Sequence, residues 1–301
     1  MNRNTVLGTL GVSLLLILMV MVSQQEASSI NSVRQNDQNR EIAANQTITE
    51  TTETQMSQIA NDSNRFGFNL FTQINTQQSN DNIVISPNSI AIALAMARNG
   101  TDGATKAEMT KVLELNQLDP KITDKSYQKL IQTLKTADSN VNLAIANGLW
   151  SNQNITLKEQ FVEDVKESYQ AKLTSLDFAD FQTKNIINDW VSKNTANKIP
   201  EIVDSLSTED ALYLTNAIYF KGIWTNKFDL DATTEQPFYQ DPDSSQPQLM
   251  MNQTGDYRYY QNDGFQAIRL PYGEKEELGM YIFLPSQTSN LAEFNQQLNI
   301  D

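Results

Sequence analysis

The sequence predicts an α+β fold, and three observations carry the prediction. Helical spacing dominates early, short strands dominate late, and no strand–helix–strand repeat or other internal repeat joins them. Phe66, Leu70, Phe71 and Ile74 recur at helical spacing and predict an amphipathic helix. Ile83, Val84 and Ile85 read as a short buried strand. Behind them Ser86 suits an N-cap and Pro87 the first helical position. Residues 90–97 are apolar on every side, the pattern of a central, buried helix. Arg98-Asn99-Gly100 ends it, with Gly100 suited to a left-handed backbone. Thr105 with Glu108, and Thr156 with Glu159, form capping boxes for two further helices. The second of these presents Leu157, Phe161, Val165 and Tyr169 on one face. Ile186, Ile187, Trp190 and Val191 mark another helix, which ends before Pro200.

Strands are expected between and after these helices. Residues 141–150 alternate at Val141, Leu143 and Ile145, and residues 211–220 read as a strand buried on both faces. Short strands follow at 238–239, 249–251, 257–260, 265–270 and 278–284, with Pro, Gly, Asp and Asn in the turns between them.

Composition removes whole classes of chemistry. The chain has 301 residues and no cysteine, which excludes disulfides, thiolate nucleophiles and Cys-ligated zinc. It has no histidine, which removes Ser-His-Asp triads and His-ligated metals. A net charge of −14 argues against nucleic acid, whose phosphates need a basic stripe. No cofactor is expected.

The N-terminus reads as an export signal. Residues 6–22 are apolar apart from Gly8, Thr9, Gly11 and Ser13, Arg3 precedes them, and the first acid is Glu26. The run is borderline for a membrane span of about 20 apolar residues, and no convincing small-x-small cleavage site follows. A cleaved signal peptide and an uncleaved anchor over 1–23 both stay open. Residues 24–60 contain no aromatic residue, Gly or Pro and are expected to form a polar flexible linker, with a weak helix as the alternative. The folded domain then spans 61–301.

Several constellations resemble chemical sites only faintly. Residues 100–106 lack the Gly-Lys-Ser/Thr order of a phosphate loop and read as a helix-to-helix turn. Glu274, Glu276 and Glu277 read as a solvated hairpin loop, against a carboxylate pair for glycoside hydrolysis. Trp150, Trp190 and Trp224 lie in apolar runs and read as core instead of sugar platforms. Asn99 and Asn154 head Asn-x-Thr sequons, which matter only where the host glycosylates.

Residues 82–115, NIVISPNSIAIALAMARNGTDGATKAEMTKVLEL, resemble strand 6B, helix B and helix C of the serpin family. Residues 211–228, ALYLTNAIYFKGIWTNKF, are similar to strand 3 of that family's sheet A, with its N-x-x-x-F-K-G-x-W pattern. Met250-Met251, Leu270-Pro271-Tyr272 and the strand from Met280 to Pro285 resemble later serpin hairpins, and residues 291–298 resemble helix G. The resemblance covers nearly all of residues 61–301. It implies a serpin-like mixed fold, with helices A–G, a large sheet A and antiparallel sheets B and C.

The resemblance also implies a mechanism. A serpin offers an exposed loop as bait to a serine or cysteine protease, and cleavage lets the loop insert as a new strand into sheet A. Ser86, Ser89 and Asn216 match the family's shutter, where the central strands part over helix B, and Trp224 matches the breach, where insertion begins. From the residues alone, the same four read as an N-cap, two satisfied polar groups and a core tryptophan. By the same resemblance, helix H, strands 5 and 6 of sheet A, the hinge, the reactive loop and the last strands of sheet B lie outside the 301 residues, so the reactive bond is unassigned and this chain by itself is expected to be inactive. The expectation is therefore an exported or membrane-tethered suicide-substrate inhibitor whose partner is a protease, with a non-inhibitory surface binding or structural protein as the alternative.

Overall fold

The computed structural model describes residues 37–77, 82–115, 118–241, 244–286 and 291–298. The export signal or anchor and the first part of the linker lie outside them. Among the described residues no helix is long and apolar enough to cross a membrane. The described residues divide into two units, one holding those of 37–73 and 85–222 and the other those of 74–77, 82–84 and 223–298.

In the first unit, α1 (Asp37–Gln77) runs through the second half of the expected linker. Ile59, Asp62, Ser63, Phe66, Gly67 and Phe71 are buried along one helical face, and Thr133 sets its hydroxyl against Met56 Sδ at 3.8 Å. Packing of that face supplies what the polar sequence lacks in intrinsic helix strength, so the linker expectation gives way to helix from Asp37. The strand expected at 83–85 does not form, because no described strand pairs with it, and Val84 is 90% exposed.

Helix α2 (Pro87–Asn99) has Pro87 in its first turn as expected. Gly100 caps it in right-handed backbone (φ −85°), not left-handed. Its smallness is what the site uses, since a Cβ there would lie 3.1 Å from the Phe161 ring. Helix α3 (Gly103–Val112) starts before the expected capping box, because Asp102 accepts from the Gly103 N–H at 2.8 Å. The helix-to-helix turn expected at 100–106 is confined to residues 100–102, and 103–106 are the first turn of α3. Helix α4 (Pro120–Thr136) fills a stretch for which the sequence pattern carries no element. Helix α5 (Glu159–Tyr169) begins after the second expected box; Lys158 is its N-cap and Thr156 caps nothing.

Strand β1 (Val141–Asn152) pairs in parallel with β2 (Lys172–Leu176) and antiparallel with β3 (Leu212–Gly222), giving the order β2-β1-β3. Helix α6 (Thr183–Asn194) lies between β2 and β3 in sequence. Successive side chains of a strand point to opposite faces. On one face Trp150, Ala146 and Ala217 pack against Ile187, Val191 and Trp190 of α6. On the other face Asn147 and Asn216 meet α5 and α2. Strand β3 is not fully buried as expected, because among the described residues its outer edge pairs with no strand.

Gly148 faces α6 at the tightest point. The Trp150 Nε1–H donates to Thr215 Oγ1 at 3.1 Å, and a Cβ on Gly148 would lie 2.5 Å from that oxygen and 3.0 Å from the indole. Replacing Gly148 with Ala is expected to destabilise the first unit by about 1–3 kcal/mol, read as a lower urea midpoint.

The second unit is β-rich. Strands β4 (Thr234–Asp241) and β5 (Ser244–Met250) form a hairpin. Strands β6 (Arg258–Gln261), β7 (Phe265–Tyr272) and β8 (Leu278–Pro285) form an antiparallel meander. Helix α7 (Leu291–Gln297) brings Phe294 edge-on to Phe265 at 5.4 Å. β6, β7, β8 and α7 match the expected strands and final helix closely, whereas β4 and β5 run well beyond the short strands expected at 238–239 and 249–251. The Glu274–Glu277 segment is the β7–β8 hairpin loop, as expected.

Asp62 is the buried carboxyl of α1, 3% exposed, and only its Oδ1 is bonded, by Gln58 Nε2 at 2.8 Å. Burial raises its pKa above the ordinary 3.8. The folded protein therefore holds a proton there that the unfolded chain releases, so stability falls as pH rises through the window between 3.8 and the raised value. Asp62→Asn is expected to raise the melting temperature relative to wild type at pH 7, with the difference disappearing below pH 3.8.

Candidate helix–sheet latch

Helix α2 meets the sheet at one polar point. Ser89 stands in its first turn and donates its hydroxyl to Asn216 Oδ1 on β3. Asn216 in turn donates through Nδ2 to Asn147 Oδ1, 2.5 Å away on β1. The two asparagines are directly opposite in the antiparallel register, so their side chains emerge on the same face. Asn147 then donates through Nδ2 to the Tyr169 carbonyl at 2.7 Å. That carbonyl is free because α5 ends there, with Gln170 left-handed at φ 52°.

The four expected site residues fare differently. Ser89 and Asn216 are brought together. Ser86 occupies the N-cap position, but only its carbonyl is used, accepting from the Ile90 N–H at 3.2 Å; its hydroxyl caps nothing. Trp224 belongs to the second unit. It stacks on Tyr272 with ring centroids 4.3 Å apart and meets Phe228 edge-on at 5.7 Å. Backbone bonds hold that stack, from Thr225 N–H to the Pro271 carbonyl at 3.0 Å and from Gly273 N–H to the Ile223 carbonyl at 2.8 Å. Trp150 is wholly buried and edge-on to Trp190 at 5.3 Å, so neither is a sugar platform.

Asn147 was not singled out in the sequence. The signal was present, because a polar residue in the middle of an apolar strand must be bonded if it is buried. It is 2% exposed, and its partners lie 22 and 69 residues away in the chain. Among the described residues no group of three or more His, Cys, Asp or Glu side chains is placed to hold a metal.

Fold and site together define a mixed α+β domain in which a partly buried helix is latched to the edge strand β3 and through it to β1. A profile of the serpin (serine protease inhibitor) family matches residues 61–301. An uncharacterized serpin-like protein of Thermococcus kodakarensis is 36% identical over 78% of this chain and 55% of its own length. Alpha-1-antitrypsin of Sus scrofa is 33% identical over 74% of this chain and 53% of its own. The structure is similar to that of emu (Dromaius novaehollandiae) ovalbumin, with a TM-score of 0.76 and 27% identity over 80% of this chain and 67% of that one. Cleaved kallistatin complexed with heparin gives a TM-score of 0.75 and 27% identity over 81% of this chain and 72% of that one. The chain belongs to the serpin family. It spans about half the length of the curated relatives it matches.

Asn147→Ala would leave the half-buried Asn216 amide and the Tyr169 carbonyl without their partner. It is expected to cost about 2–3 kcal/mol, whereas Ser86→Ala, which removes no cap bond, should cost less than about 0.5 kcal/mol. Denaturant titration of the two variants reads the difference.

Proposed function

We propose that this chain belongs to a serpin-type suicide-substrate inhibitor of serine or cysteine proteases, acting outside the cytoplasm. The observation that carries the reading is the bond between Ser89 and Asn216, which sits where a serpin sheet must open, inside a family match that runs from 61 to 301. Inhibition needs a sheet that is metastable while closed and more stable once a strand is added. A latch built from hydroxyl and amide groups suits that demand. Its bonds can be exchanged for others when the strand arrives, and no apolar core has to be broken.

In this reading Ser86 stands at the start of α2, Ser89 and Asn216 form the latch, and Trp224 keeps the breach role that the family resemblance gives it. The N-terminal run of residues 6–22, with positive charge before it, supports export, and either a cleaved signal or a retained tether serves this role. The net charge of −14 supports a protein partner over nucleic acid. The bait loop is expected outside residues 61–301.

The test is a protease challenge. The 301-residue protein, and the same protein extended by the reading frame that follows its last codon, are mixed with trypsin, chymotrypsin and subtilisin and run on denaturing gels. A one-to-one complex that survives SDS is expected from the extended protein only. Reversible binding, or none, from an extended protein that carries a bait loop would replace this reading with that of a non-inhibitory surface binding protein.

A further inference from the structure

The latch is one part of a longer polar circuit. Tyr169 holds Asn147 with its carbonyl, and its hydroxyl donates to Asp124 Oδ1 on α4 at 2.7 Å. The same carboxylate oxygen accepts from Asn99 Nδ2 at 3.0 Å. Asn99 is the last residue of α2, and Ser89 lies in the first turn of that helix. The path Ser89–Asn216–Asn147–Tyr169–Asp124–Asn99 therefore leaves one end of α2 and returns to the other, crossing β3, β1, α5 and α4. Ten residues of helix separate its ends along α2, about 15 Å at 1.5 Å per residue.

The two joints in the middle of the circuit are short of alternatives. Tyr169 is wholly buried, with its ring 5.7 Å from that of Tyr127, and the Asn147 side chain is buried too. Burial first, and then the Asp124 carboxylate, push the Tyr169 hydroxyl well above its ordinary pKa, so it stays a donor across the neutral range. A buried donor that loses its acceptor either pays the full desolvation cost or moves to find another partner. Moving Tyr169 moves the carbonyl that holds Asn147.

We propose that Asp124, Tyr169 and Asn99 are positioning residues for the Ser89–Asn216 contact, so that cutting the circuit at its far end loosens the sheet at its near end. This rests on the reading of that contact as the control point of the sheet. Helix α2 is then a strut tied at both ends, and a change on the α4 side of the molecule reaches β3 through side-chain bonds instead of through the protease-binding loop. Coupling of this kind is demonstrated only when both ends respond to a change at one of them.

Hydrogen exchange on the full 301-residue protein tests it. Tyr169→Phe removes only the hydroxyl, Asn99→Leu removes only the return bond, and Asp124→Asn keeps an acceptor oxygen where Asp124→Ala does not. Val165→Ala, in the buried face of α5 and outside the circuit, is the control for general destabilisation. Tyr169→Phe, Asn99→Leu and Asp124→Ala are expected to speed exchange of the amides at 146–148 and 215–218 roughly tenfold relative to the rest of the unit. Asp124→Asn should restore wild-type rates at those amides, and Val165→Ala should raise exchange evenly. An increase confined to α4 and α5, an even increase like the control's, or an Asp124→Asn as fast as Asp124→Ala would each overturn the proposal. If Tyr169→Phe does not fold, Asn99→Leu, at a half-buried helix end, carries the same comparison. No protease takes part, so failure here leaves the inhibitor reading standing, and failure of the protease challenge leaves this result unaffected.

Discussion

Strand β1 is covered on both faces, and that constraint governs the first unit. Its α6 face carries Ala146, Gly148 and Trp150. The middle one has no side chain, which leaves room for the Thr215 hydroxyl and the Trp150 indole to meet over it. Its other face carries Leu143, Ile145 and Leu149, with Ser151 near the strand's end and the polar Asn147 in their midst. An apolar side chain at that position would need no partner. An amide there must be satisfied at both of its ends, and the only groups within reach belong to β3 and to the terminus of α5. Chain topology that brings Asn216 directly opposite, and ends α5 at Tyr169, is what makes the strand tolerable.

The same polar requirement explains why the latch suits a moving part. Apolar packing is strong but has no discrete alternative, so a core that parts loses its contacts outright. A hydrogen-bonded contact can trade one partner for another at small net cost. Ser89, Asn216 and Asn147 form a hydrogen-bonded contact of that kind. The second unit shows the contrasting design. Its aromatic rings pack by area and quadrupole, Phe294 of α7 against Phe265 and Phe283 of β7 and β8, and Trp224 on Tyr272.

Much of the fold was legible along the chain. The later strands were visible because period-two patterns and turn residues are local properties. The family was visible because several motifs fall in register. Within the site, Ser89 and Asn216 were legible only through that resemblance. Ser86 was placed by its local position, but its hydroxyl proved idle. What was missed has a common cause. The buried face of α1 begins only at Ile59, with Met56 against Thr133 of α4, and the half-exposure of β3 depends on which neighbour its outer edge has. The capping boxes at Thr105 and Thr156 were locally sound and still unused, since Asp102 and the β1–α5 turn set the helix starts elsewhere.

The sequence by itself determined the α+β class, the absence of histidine and cysteine chemistry, the acidic balance and the family, because each follows from residue identity or short-range spacing. Only the tertiary structure decided that Asn99, Asp124, Asn147 and Tyr169 belong to one circuit with Ser89 and Asn216. Hydrogen-bond partnership is fixed by where helices end and which strand residues stand opposite one another. Those are long-range facts, and no periodicity in the sequence encodes them.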